Sequence, residues 1–93
     1  MNNKKSAHII ISGKVQGVYF RVFTRETARV IKLTGWVKNK SDGTVAAFAA
    51  GTEEQLNKFI KELKKGPPAS RVDDIHAEWS SFGNEFSSFE IRY

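Results

Sequence analysis

The 93-residue sequence contains no cysteine, which removes disulfides, zinc-thiolate centres and thiol nucleophiles together. No apolar run approaches the roughly 20 residues of a helical membrane span, so no membrane partner is expected. The opening stretch Met1-Asn2-Asn3-Lys4-Lys5-Ser6 carries some positive charge. It lacks the apolar region and small-residue cleavage site of a signal peptide, and a cytoplasmic location is the default expectation. Internal repeats, linkers and low-complexity tracts are also missing. So is any carboxylate-histidine cluster that would read as a metal centre. The two histidines, His8 and His76, are far apart in expected strands and read as structural.

What remains is the composition of one ordinary globular domain, 40% hydrophobic and 27% charged, large enough for a single two-layer core. A net charge of +5 suits nucleic acid, an anionic small molecule, or merely a solvated basic surface. Residues 1–6 are expected to form a loose tail and 7–93 one domain.

Ala7-His8-Ile9-Ile10-Ile11-Ser12 reads as a buried strand, because it is short, β-branched and stopped by Gly13. From about Arg21 to Leu33 the residues Phe23, Thr27, Val30 and Ile31 recur at helical spacing, with Arg25, Glu26 and Arg29 for the wet side. Residues 35–40 and 44–51 read as strands joined by a hairpin with Asp42-Gly43 at its tip. Thr52 and Gln55 form a capping-box pattern, Leu56, Phe59, Ile60 and Leu63 make an apolar stripe, and Gly66-Pro67-Pro68 stops the helix. A fourth strand is expected over 72–79, and a short fifth after the Gly83-Asn84 turn signal, where Phe89, Ile91 and Tyr93 alternate with Glu90 and Arg92. Trp36, Phe48, Trp79 and Phe89 are read as packing residues.

The order β-α-β-β-α-β is that of a ferredoxin-like α+β sandwich, with two helices on one face of an antiparallel sheet. In that arrangement the carboxyl ends of the first two strands share one sheet edge, separated by the third strand. The edge holds the loop Gly13-Lys14-Val15-Gln16-Gly17-Val18-Tyr19-Phe20-Arg21 and also Asn39, which alternates with Val37 toward the helices. A glycine loop entering a helix offers free backbone N–H groups and a positive helix end, and Arg21 can reach the same place. An anion site is the natural reading.

This loop lacks the Gly-Lys-Ser/Thr ending of a nucleotide P-loop. With no thiol nucleophile and no evident metal cluster, a metal-free, noncovalent reaction is expected, without a cofactor. Such a site is poorly equipped for a phosphate ester, whose alkoxide wants a metal or an acid. An acyl phosphate releases a carboxylate, the conjugate base of an acid of pKa about 4 to 5, and needs no proton to do so.

The segment from Gly13 to Arg21, followed by Leu33-Thr34-Gly35-Trp36-Val37-Lys38-Asn39, Asp42-Gly43 and Gly66-Pro67-Pro68, resembles the acylphosphatase family from about residue 7 to the carboxyl end. The resemblance implies a small α/β sandwich that hydrolyses carboxyl-phosphate bonds. It implies that Arg21 binds the phosphoryl group with the loop amides of Gln16, Gly17, Val18, Tyr19 and Phe20, and that Asn39 positions the attacking water. An Asn is no useful base, so substrate-assisted hydrolysis is expected. A small-molecule acyl phosphate is the expected partner, nucleic acid is not, and a monomer is expected. Family members often have glycine where this chain has Lys32. If the backbone there has positive φ, lysine adds strain of about 1 kcal/mol. The alternatives are an RNA-binding ferredoxin-like module, disfavoured because residues 44–49 do not resemble the aromatic-rich RNA-binding motif, and a noncatalytic anion sensor.

Overall fold

The apolar run at positions 9–11 lies inside an 11-residue strand, β1 (Lys4–Lys14), flanked on both sides by antiparallel neighbours. The computed structural model describes residues 4–80 and 86–93. After β1 come α1 (Phe20–Ile31), β2 (Thr34–Asn39), β3 (Val45–Thr52), α2 (Glu53–Lys65), β4 (Arg71–Ser80) and β5 (Phe89–Arg92). Every expected element forms. The strand order is β4-β1-β3-β2-β5, so β3 separates β1 from β2 as a ferredoxin-like α+β fold requires. The β1–β3, β1–β4 and β2–β3 pairs are antiparallel, but β5 joins β2 in parallel. The sheet is therefore mixed rather than wholly antiparallel.

Three further expectations need correction. Residues 4–6 are not a loose tail: Lys4 is paired with Thr52, Ser6 is buried, and Lys5 reaches Glu53 at 2.7 Å. Their polar composition hid the start of a strand that is paired with β3 from Lys4 onward and with β4 from Ser6 onward. Helix α1 ends at Ile31 rather than Leu33, since Lys32 turns left-handed at φ 73° and the chain closes with Lys32 N–H to Arg29 O and Leu33 N–H to Ala28 O. Its buried face is also shifted from the one expected, although Phe23 and Ile31 of the expected stripe still pack against the core. Phe20, Thr24 and Ala28 are buried, while Val30 is 81% exposed. Thr24 enters the core because its hydroxyl donates to the Phe20 carbonyl at 2.8 Å, and small Ala28 lets the helix lie close to the sheet. The Gly83-Asn84 turn signal lies outside the described residues.

The core sits between the helices and the inner sheet face, where Ile9, Ile11, Val37, Val45, Leu56, Phe59 and Leu63 are fully buried. Phe59 and Phe89 meet edge-on at 5.9 Å. On the outer face Trp36 stacks with Phe48 and takes His8 against its edge. The Arg92 guanidinium lies 5.3 Å from the rings of both Trp36 and Phe86. These aromatics pack against one another and against cations, in line with their expected structural role; Trp79 departs from it and is 42% exposed.

Candidate active site

The loop between β1 and α1 leaves the sheet at an irregularity. Ser12 pairs with Asp74 but Gly13 pairs with Val72, so β4 carries Asp73 as an extra residue. A side chain at Gly13 would collide with the Arg71 carbonyl. Val15 and Val18 then dip into the core and fix the loop from below. Between them Gln16 reaches across to the β2–β3 hairpin, where its Nε2 donates to the carbonyls of Lys40 at 2.7 Å and Thr44 at 2.8 Å. Both hydrogens of that amide group are thereby used, and the loop is strapped to the residue following Asn39.

The hairpin is itself well ordered by hydrogen bonds. Lys40 N–H donates to Thr44 O, and Gly43 N–H to Lys40 O. Asp42 Oδ1 accepts from the Thr44 hydroxyl and amide at 2.7 and 3.0 Å. Those two bonds, the hydroxyl first, hold the Asp42 carboxyl below its ordinary range.

Helix α1 begins at Tyr19, a left-handed residue at φ 63° whose side chain makes no cap, and its first turn contains no acidic residue. The first helical bond runs from Phe23 N–H to Tyr19 O, which leaves the preceding amides without intrahelical acceptors. Buried Phe20 anchors this turn, meeting Phe23 edge-on at 5.9 Å. Gly17 has φ 75° and open space where a Cβ would stand. Its conformation rather than crowding calls for glycine, and the loop backbone is left approachable. Arg21 is half-buried, with its guanidinium carbon 5.0 Å from the centre of the Tyr93 ring.

A concavity of about 340 Å³ opens here, lined by Gly17, Tyr19, Phe20, Arg21, Val22, Ile91 and Tyr93. Four of the expected site residues, Gly17, Tyr19, Phe20 and Arg21, are thus brought together. Gln16 and Val18 are loop members whose side chains hold the loop in shape. Asn39 does not line the concavity. It ends β2 opposite Val45, one residue from the Gln16 strap, and its Oδ1 is buried with no hydrogen-bond partner. Orphaned buried acceptors are rare in folded proteins. No three His, Asp or Glu side chains converge in a metal-ligating group among the described residues.

The Gln16 strap was not legible in the sequence, because its acceptors are main-chain carbonyls 24 and 28 residues away. Ile91 and Tyr93 were also missed as lining residues. Their alternation announced a strand but not the edge it would join.

The chain was also compared with known proteins. A family model described as Acylphosphatase matches residues 7–91. A Pelotomaculum thermopropionicum protein named Acylphosphatase is 42% identical over 91 residues, covering 98% of this chain and 99% of that one. A Bacillus licheniformis protein of the same name is 47% identical over 85 residues, with 91% and 94% covered. The crystal structure of acylphosphatase from Bacillus subtilis superposes with a TM-score of 0.93 at 42% identity, over 96% of this chain and 99% of that one.

Proposed function

The chain belongs to the acylphosphatase family, and on that premise we propose how its loop and hairpin divide the work of hydrolysis. The reaction is cleavage of acyl phosphates to carboxylate and inorganic phosphate. In our reading the phosphoryl group lies on the amides of Gln16, Gly17, Val18, Tyr19 and Phe20 at the uncapped start of α1. The Arg21 guanidinium grips two of its oxygens in a fork. These donors stabilise the charge that spreads over the equatorial oxygens as the bond to the leaving group loosens.

Asn39 holds the attacking water. The single observation that carries this assignment is the buried, unpartnered Asn39 Oδ1, an acceptor suited to a water proton, on a hairpin that Gln16 ties to the phosphate loop. The water oxygen bonds to phosphorus as the bond from phosphorus to the acyl oxygen breaks. The electron pair leaves with the carboxylate, which departs unprotonated. The water's proton passes to a phosphoryl oxygen, since an amide cannot take it. No metal is required in this scheme.

Phosphate release from acetyl phosphate in the presence of a metal chelator tests the proposal. The parent protein turns over, Arg21→Ala loses about 10³-fold or more in kcat/KM, and Asn39→Ala loses mainly kcat while still being inhibited by inorganic phosphate. An Asn39→Ala variant as fast as the parent overturns the water-holding role. Activity that appears only on adding a metal overturns the metal-free scheme.

A further inference from the structure

Five large hydrophobic side chains are exposed among the described residues: Tyr19, Val22, Val30, Trp79 and Tyr93. Three of them, Tyr19, Val22 and Tyr93, line the concavity that also contains Arg21. Single exposed hydrophobics need no explanation, but their gathering around a hollow beside a charged group marks a ligand surface. The concavity, about 340 Å³, lies within the range of small-molecule sites and is larger than one phosphoryl group fills. Its lining combines the loop residues and Arg21, which carry the donors, with the apolar side chains of Val22 and Ile91 and the Tyr93 ring, and no carboxylate side chain is among them.

We propose that this apolar wall receives the acyl group of the substrate, so that the enzyme favours acyl phosphates with extended apolar or aromatic acyl groups over acetyl phosphate. The inference rests on the acyl-phosphate reading above. The acyl chain lies across Val22 and Ile91 beside the Tyr93 ring. Two features set this wall in register with the reacting end. Parallel pairing places Ile91 opposite Val37 in β2, the strand that ends at Asn39. The Arg21 guanidinium carbon lies 5.0 Å from the centre of the Tyr93 ring, so the side chain assigned to the phosphoryl group also borders the apolar wall. Arg21 is therefore the hinge between the polar and apolar subsites.

Straight-chain acyl phosphates from acetyl to hexanoyl test the proposal, because their acids differ little in pKa and leaving-group chemistry stays nearly constant. In the parent protein kcat/KM rises about tenfold or more along the series, chiefly through KM. Tyr93→Ala and Val22→Ala each flatten that rise by about fivefold, and Val22→Phe, which fills the hollow, penalises hexanoyl phosphate far more than acetyl phosphate. Tyr93 is 96% exposed, so its truncation leaves folding intact. Turnover of acetyl phosphate with a flat series in the parent overturns this inference and leaves the hydrolase reading standing. A steep series that survives all three substitutions overturns it as well, since the acyl group then binds elsewhere. Failure to turn over any acyl phosphate overturns the hydrolase reading and this inference with it.

Discussion

At the start of α2, Thr52 and Gln55 exchange two hydrogen bonds, at 3.1 and 2.8 Å, and Glu53 and Glu54 occupy the positive first turn. At the start of α1, Tyr19 is left-handed, nothing caps the turn, and no acid is present. Both helices are of similar length and pack on the same sheet, so the contrast is not imposed by the fold. One helix end satisfies donors with its own side chains, and the other has no side-chain cap. Forgoing a cap costs about 1 kcal/mol, and a left-handed tyrosine adds on the order of 1 kcal/mol more. The neighbourhood of α1 absorbs this through buried Val15, Val18 and Phe20 and through the Gln16 strap.

The comparison can be broken most severely at Arg21. Arg21→Lys keeps the charge but loses the two-oxygen fork, and kcat/KM on acetyl phosphate is expected to fall about 10²-fold, read from initial rates of phosphate release. A smaller effect follows from making α1 begin like α2. Val22→Glu places a carboxylate in its first turn, and relative to the neutral control Val22→Gln it should weaken competitive inhibition by inorganic phosphate about threefold to thirtyfold. Equal inhibition constants for the pair would remove the helix end from the account of anion binding. At α2 the corresponding change affects stability alone. Thr52→Ala should lower the unfolding free energy by about 1 kcal/mol in urea titrations, with kcat/KM retained. The smallest effect concerns the far end of α1, where Lys32→Gly relieves the left-handed residue and should raise stability by up to about 1 kcal/mol at unchanged activity.

The α2 cap was legible in the sequence because it is local: Thr52 and Gln55 are three residues apart and need only each other. The conditional reading of Lys32 rested instead on the family resemblance, in which glycine is frequent at that position, and its φ of 73° meets the condition. That the carboxyl ends of β1 and β2 share one edge of the sheet, with β3 between them, was legible because the element order implies the strand directions. The face of α1 was read only in part: Phe23 and Ile31 pack against the core as expected, but hydropathy ranks Val30 above Thr24. Burial followed instead from a hydroxyl that bonds its own helix and from the small size of Ala28. Gln16, Ile91 and Tyr93 escaped because their roles depend on partners far along the chain, and no spacing rule reaches that distance.

The extra residue at Asp73 marks the irregularity where the β1–α1 loop leaves the sheet. It also lies on β4, which ends the sheet and exposes a run of ten residues to other chains. A long, regular outer strand is a template on which a second molecule could build cross-β structure. Here the template is interrupted at Asp73, whose carboxylate is held by Arg71 at 2.8 Å, and is studded with Asp74, His76 and Glu78 on the exposed side. The same irregularity from which the β1–α1 loop departs therefore also makes the outer strand a poorer template for edge-to-edge pairing.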